Sequence, residues 1–320
     1  MYSGSTRKQD SMINKTIVLG TWAWGNDKAF GDIYEEDRLR KTFESAWEKN
    51  IRFFDTAYVY GDGTAERRLA SFLAGHDRSD YVLSAKFTPQ HADKNVLKPV
   101  AEALFHDLEI LGREYLDWYW YHNPKDFKKY LPEFAELQKE GRIKNIGVSN
   151  FSLAQIKEAE ILLLSCGARL SGVQNHLSLV NRYSEQEGII DYCSENGMSF
   201  FSYMIFEQGA LLGKYRRENP FPEGTERARN YNGVLEKFER LAWMIEKVAE
   251  KNVQNTAEIL IAWALAKGTV PIIGMTKPDH VDPAVKGLDY SLSPGQISLL
   301  EEAAEESGLR TVRVWERFMK

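Results

Sequence analysis

Asp55, Tyr60, Lys86 and His122 are side chains that hold or move protons, and each stands at or just beyond the end of a short apolar run. A phenol titrates at about 10, too high for proton transfer near neutrality. A neighbouring ammonium lowers that value, and a carboxylate holds the ammonium in place. A histidine can fix an oxygen between its ring and the phenol. Such a group would give a proton to an oxygen that becomes an alkoxide as hydride arrives at its carbon. Taken singly, each residue has an ordinary reading. Asp55 would cap a helix or bond a loop. Tyr60 would be one of fifteen tyrosines, Lys86 a solvated charge, and His122 a hydrogen-bonded core histidine. The joint reading is favoured because three consecutive runs end in these four residues.

Something must carry those ends to one place. Strand-like runs fall at Thr16–Thr21, Arg52–Asp55, Tyr81–Lys86, Leu116–Tyr121, Ile143–Ser149, Gly172–His176, Ser199–Tyr203 and Val270–Ile273. Amphipathic stretches lie between them, among them Glu36–Lys49, Val96–Leu111, Phe127–Glu140, Leu153–Leu164 and Glu185–Asn196. Leu235–Lys251 and Thr256–Ala266 precede the last run. Alternation of this kind implies parallel strands joined by right-handed crossovers. Eight strands close naturally into a barrel. A doubly wound open sheet is the competing architecture, but it usually carries a Gly-rich turn after its first strand, and GTWAWG at 20–25 lacks GxGxxG. The predicted fold is therefore α/β, a (β/α)8 TIM barrel formed by residues 13–320 as one domain, after a flexible N-terminal tail at 1–12. Barrel enzymes carry their chemistry at the C-terminal ends of the strands. The connection from Met204 to about Gly233, with its FPEG and YNG turn signals, is long enough to expect a functional loop over that end. The segment after Leu309, with an exposed-looking Trp315, is expected to fold over the same face.

Bulk properties narrow the partners. The 320 residues are 43% hydrophobic and 27% charged, which allows a large core. A net charge of -5 argues against nucleic acid or an anionic membrane as the main partner, since both need a basic face. The two cysteines, Cys166 and Cys193, show no metal-binding spacing and read as buried or half-buried free thiols of a reducing compartment. MYSGSTRKQDSM carries no apolar stretch of the signal-peptide kind, and no run approaches the ~18 residues of a membrane span. A cytoplasmic protein is expected. The six histidines form no HxxxH cluster, so no metal is expected.

The motifs around these residues resemble those of the aldo-keto reductase family. FFDTAYVYG at 53–61 is similar to its Asp-Thr-Ala-x-x-Tyr-Gly signature. SAK at 84–86, LDWYWYHNP at 116–124, GRIKNIGVSNF at 141–151, VQNHLSLVNR at 173–182, QGALLGKY at 208–215 and PIIGMTKPDHV at 271–281 follow in the family's order and spacing. The resemblance implies a barrel that moves a hydride between NAD(P)H and a carbonyl. Tyr60 would be proton donor, Lys86 would lower its pKa, Asp55 would anchor Lys86, and His122 would orient the carbonyl. Ser149, Asn150 and Gln174 would hold the nicotinamide carboxamide, and Tyr203 would stack on the ring. A second reading makes Ser149–Asn150 the N-cap of the helix starting near Leu153. Gly20, Thr21 and Trp22 would border the cofactor. Gln208, Gly209, Leu211, Gly213 and Lys214 would cover its pyrophosphate. Ile273, Gly274, Met275, Thr276, Lys277 and His280 would meet the adenosine end at a helix N-terminus.

The chain departs from the family pattern in places. His280 stands where an arginine for the 2′-phosphate is common, which leaves NADH use open although NADPH is favoured. His176 stands where tyrosine is frequent, and Asn123 where tryptophan or serine is. Trp22, Trp24, Tyr58 and Asn123 are expected to line a substrate pocket for an aldehyde, ketone, quinone or sugar-derived carbonyl. Two other functions compete: a nicotinamide-binding redox-sensing subunit with little turnover, and a metal-dependent isomerase. The second is poorly served by Asp55, His122 and His176 alone.

Overall fold

Eight parallel strands, β1 (Val18–Gly20), β2 (Phe53–Asp55), β3 (Val82–Phe87), β4 (Leu116–Tyr121), β5 (Ile143–Ser149), β6 (Leu170–His176), β7 (Ser199–Tyr203) and β8 (Val270–Gly274), close into a barrel in chain order. This computed structural model describes residues 16–26, 29–31, 34–248 and 255–319. The tail expected at 1–12 lies outside the described residues. The helices are α1 (Glu36–Glu48), α2 (Thr64–Phe72), α3 (Pro99–Leu111), α4 (Phe127–Lys139), α5 (Leu153–Ser165), α6 (Tyr183–Gln186), α7 (Ile189–Glu195), α8 (Glu226–Tyr231), α9 (Leu235–Val248), α10 (Thr256–Ala266), α11 (Val281–Asp289) and α12 (Pro294–Glu306).

Strand periodicity decides which side chains face the barrel axis. Leu83, Ala85, Tyr119, Tyr121, Ile146 and Val148 pack outward against the helices. Their neighbours Ser84, Lys86, Trp118, Trp120, Gly147 and Ser149 therefore point inward. The lower interior is filled by Val18, Phe53, Trp118, Trp120, Phe201 and Val270. The two indoles stack at 5.0 Å and 11°, and Phe201 meets each of them edge-on. Glycines on the next two strands, β5 and β6, make room for them. A Cβ on Gly147 would lie 2.1 Å from Trp120 Cε3, and one on Gly172 would lie 2.9 Å from Trp118 Cζ3. Gly147→Ala is expected to cost ~1–3 kcal/mol by overpacking, read as a lower Tm; an unchanged Tm would mean that Trp120 moves freely.

Above this plug the same inward face turns polar. Register sets Gly20 beside Asp55, Asp55 beside Ser84, Ser149 beside Gln174, and His176 beside Tyr203. The C-terminal rim thus gathers residues that are far apart in sequence.

Several expectations change in detail. The stretch Glu185–Asn196 is two short helices, α6 and α7, broken at Gly188, where φ is 70°. The Leu153 helix is capped by Ser152 in a capping box with Gln155, not by Ser149 or Asn150. That leaves Ser149 and Asn150 without a capping role. Cys166 is exposed rather than buried, whereas Cys193 is buried and its thiol is pushed up to about 12 by burial. The Met204–Gly233 connection contains a helical turn at Glu207–Leu212 and α8. Among the described residues no helix is long and apolar enough to cross a membrane.

Candidate active site

A cavity of about 1680 Å³ opens at the C-terminal end of the strands. Its walls include residues from the β1, β2, β4, β5, β6, β7 and β8 ends, the segment after β7, and Trp315. Asp55, Tyr60 and His122 reach it, while Lys86 is buried behind them at 2% exposure.

Lys86 Nζ donates to Asp55 Oδ2 in a short contact and to the Thr56 carbonyl at 2.9 Å. The ammonium lies 4.8 Å from the centre of the Tyr60 ring. Burial works against its charge, but the charges and hydrogen bonds of Asp55 and Tyr60 outweigh burial, and the Lys86 pKa is raised. Lys86 therefore remains a cation. Asp55 is fixed from its other oxygen, where Oδ1 accepts from Ser84 Oγ at 2.7 Å and from Gln174 Nε2 at 3.2 Å.

His122 meets Tyr60 edge-on, ring centres 6.3 Å apart. Burial, then the Lys86 charge, pulls it down to about 3, so the imidazole is neutral. Its Nδ1 is within 2.9 Å of Thr88 Oγ1, and its backbone N–H donates to the Phe87 carbonyl. Glu66, on α2, is a further buried acid that sequence reasoning missed. Its carboxyl lacks a hydrogen-bond partner, and burial raises its pKa while Lys86 opposes that shift. It follows a GDG turn and reads as an ordinary helix-surface glutamate, so no sequence signal marked it.

Next to this group Ser149, Asn150, Gln174 and Tyr203 line the cavity. Asn150 takes a left-handed backbone, φ 63°. Its Nδ2 donates to the His122 carbonyl and to Ser149 Oγ, and its Oδ1 accepts from Tyr203 OH. Gly20, Trp22, Gln208, Gly209, Lys214, Ile273, Gly274, Thr276, Lys277 and His280 also reach the cavity. Gln208 Oε1 is buried without a hydrogen-bond partner. His280 Nδ1 accepts from the Thr276 N–H at 3.3 Å. Burial, then Lys277, Lys214 and Arg38, lowers His280 to about 4. Arg38, on α1, was not foreseen; it joins the cavity wall from a helix remote in sequence.

Other expected residues fall elsewhere. Trp24 is not a pocket residue: it is fully buried, and its Nε1 donates to the Met275 carbonyl at 2.8 Å. Tyr58 is not one either, since its ring packs edge-on against His106 at 4.9 Å. Thr21, Leu211, Gly213 and Met275 do not line the cavity; Thr21 Oγ1 instead donates to the Asp55 carbonyl. Asn123 does line it, in a reciprocal amide pair with Gln90 at 2.8 and 2.9 Å. Among the described residues no His, Cys, Asp and Glu cluster could hold a metal ion.

The model of the aldo/keto reductase family matches residues 16–305, and the chain belongs to that family. It is an NAD(P)H-dependent oxidoreductase. Pyridoxal reductase of Arabidopsis thaliana is 30% identical over 90% of this chain and 83% of its own length. Versiconal hemiacetal acetate reductase of Aspergillus parasiticus is 24% identical over 89% of this chain and 92% of its own. Among solved structures, a glycerol dehydrogenase from Gluconobacter oxydans superposes with a TM-score of 0.78 at 24% identity, covering 93% of this chain and 94% of that one. An aldo-keto reductase from Klebsiella pneumoniae, solved with NADPH, gives 0.68 at 22%, covering 90% of each. At those identities the structures speak for the fold alone.

Proposed function

We propose that the protein reduces an aldehyde or ketone to the alcohol, with NADPH as hydride source and Tyr60 as proton donor. The carrying observation is the buried Asp55–Lys86 pair set against the face of Tyr60, with neutral His122 beside it at the cavity wall. Tyr60 gives its hydroxyl proton to the carbonyl oxygen. Lys86 stabilises the phenolate left behind, and Asp55 balances Lys86. With Nδ1 engaged by Thr88, His122 keeps Nε2 for the substrate oxygen. The alcohol oxygen returns its proton to Tyr60 when the reaction runs backward.

The cavity suits a nicotinamide dinucleotide. Ser149, Asn150 and Gln174 offer the donors and acceptors a carboxamide needs, and the orphaned Gln208 Oε1 fits a ribose hydroxyl. Bound cofactor supplies the hydride. Arg38, Lys214 and Lys277 line the cavity around neutral His280, with Asp279 paired to Lys277 at 3.4 Å, and the surplus of cations favours the 2′-phosphate of NADPH. Replacing Arg38 and Lys277 together by alanine should raise the NADPH Kd by ~10-fold or more, and the NADH Kd far less. Fluorescence titration reads both, and equal changes would mean that neither side chain reads the phosphate.

Trp22 stacks on Tyr60 at 6.1 Å and meets Phe30 and Trp315 edge-on. Thr88, Gln90, His91 and Asn123 form a polar wall. An aromatic wall facing amides suits a planar aldehyde carrying hydrogen-bonding substituents, a class that includes the pyridoxal named for the plant relative. The experiment is NADPH and NADH oxidation against 4-nitrobenzaldehyde, pyridoxal, a quinone and keto sugars. Fastest turnover on the aromatic aldehydes supports this reading. Saturable cofactor binding without turnover on any carbonyl would overturn it in favour of a redox-sensing subunit.

A further inference from the structure

Glu207 is fully buried, one residue before the Gln208–Gly209 turn that lines the cavity. Its carboxylate collects five donors. Oε1 accepts from His176 Nε2 at 2.7 Å, Ser178 Oγ at 2.5 Å and Thr311 Oγ1 at 2.8 Å. Oε2 accepts from Tyr231 OH at 2.9 Å and Arg313 Nη2 at 3.1 Å. His176 also bonds Glu316 through Nδ1, and Glu316 Oε2 accepts from the Arg313 N–H at 2.7 Å. Glu207 thus faces an imidazolium and a guanidinium, and Glu316 the same imidazolium and the Arg313 backbone, all but excluded from water. Burial opposes the His176 charge, but Glu207 and Glu316 hold its pKa up at about 9. Burial likewise opposes the Glu207 charge, and His176 and Arg313 bring that carboxyl down to about 2.

A buried ionic cluster is a poor way to gain stability, because apolar residues of the same size would do as well. It does fix geometry, and what it fixes here touches the site. Arg313 and Glu316 flank Trp315. Trp315 Nε1 donates to Tyr203 OH at 3.0 Å, and its ring meets Trp22 at 5.8 Å. The backbone that aims Glu207 inward is unusual as well: Met204, Glu207 and Gln208 have φ of 60°, 48° and 54°, a region non-glycine residues seldom occupy.

We propose that Glu207 and His176 are positioning residues for the reaction. Through Arg313 and Glu316 they hold the C-terminal segment so that Trp315 closes the substrate end of the cavity and props Tyr203. Because Glu207 adjoins Gln208–Gly209, that closure is tied to the cofactor end. The kinetic arm of this inference rests on the reductase reading; the structural arm does not.

Glu207→Gln in the full-length protein keeps the shape and removes the charge. KM for 4-nitrobenzaldehyde should rise ~10-fold or more with kcat changed by less than about threefold. Trypsin cleavage after Arg310, Arg313 and Arg317, followed by mass spectrometry, should be ~10-fold faster in the variant with and without NADPH. Far-UV circular dichroism should be unchanged. Trp315→Phe should raise KM while leaving the cleavage rate near wild type, a split that a merely structural role would not produce. Wild-type KM and wild-type cleavage in Glu207→Gln would overturn the proposal. If that variant fails to fold, unchanged KM in Trp315→Phe overturns it. If the wild type binds NADPH but reduces no carbonyl, the reductase reading fails, and the cleavage rates still decide whether Glu207 holds the segment.

Discussion

Tyr60→Phe should lower the rate of carbonyl reduction by ~10²–10⁴-fold, the usual contribution of a placed general acid. The substitution is clean because the ring stays. Its stack on Trp22 and its face toward Lys86 persist, so the cavity wall keeps its shape. What leaves is the hydroxyl, and with it the transferable proton and the hydrogen bond to Lys86. Cofactor binding should be intact, because the groups that fit the carboxamide, Ser149, Asn150 and Gln174, are anchored independently of Tyr60, through the His122 carbonyl, Tyr203 OH and Asp55. The check pairs steady-state reduction with fluorescence titration of NADPH. Near-wild-type turnover would remove Tyr60 from its role, and His122, neutral at working pH, could not replace it as an acid of useful strength.

The sequence announces strand ends well and side-chain direction poorly. Asp55, Lys86 and His122 were legible because they stand at or just beyond the ends of apolar runs, and Ser149, Gln174 and Tyr203 because their motifs resemble the family's; period-two alternation turns all six to one face. Trp24 and Tyr58 were misjudged for the complementary reason. Both lie in tight turns beyond a strand, where residues two apart point to opposite sides. Trp22 reaches the cavity and Trp24 enters the core; Tyr60 faces Lys86 and Tyr58 faces His106. Arg38 and Glu207 were invisible for another reason. The residues they meet lie far away along the chain: Arg38 shares the cavity wall with Lys277 and His280, Arg313 is 106 residues from Glu207, and Glu316 is 140 residues from His176. Long-range assembly of this kind leaves no local pattern to read. His176 stood out as a departure from the family's motifs, and its reason became visible only once Glu207 and Glu316 were seen on either side of it.

Asp55→Asn should cost ~3–5 kcal/mol of stability, because it strips a buried cation of its partner. The amide can still accept from Ser84 Oγ and Gln174 Nε2, so shape and most hydrogen bonds survive. What remains is the Lys86 ammonium in a site where burial alone lowers its pKa. The pH dependence has a definite sign. In the wild type the folded-state pKa of Lys86 is raised, so its contribution is complete below the unfolded value of about 10.5 and is lost as pH rises through the higher folded value. In the variant the Asp55 charge no longer opposes burial, so the folded pKa is lowered against the remaining support of Tyr60, and the penalty fades as the ammonium deprotonates. The stability gap between the two proteins should therefore be widest near neutrality and should narrow as pH climbs toward and past about 10.5. Urea unfolding at several pH values measures it. A variant within ~1 kcal/mol of wild type at neutral pH would mean that Lys86 finds other support, such as the Thr56 carbonyl it already bonds at 2.9 Å. Adding Lys86→Met to Asp55→Asn should restore part of the lost stability and none of the activity, since the double variant removes the stranded charge together with the group that stabilises the Tyr60 phenolate.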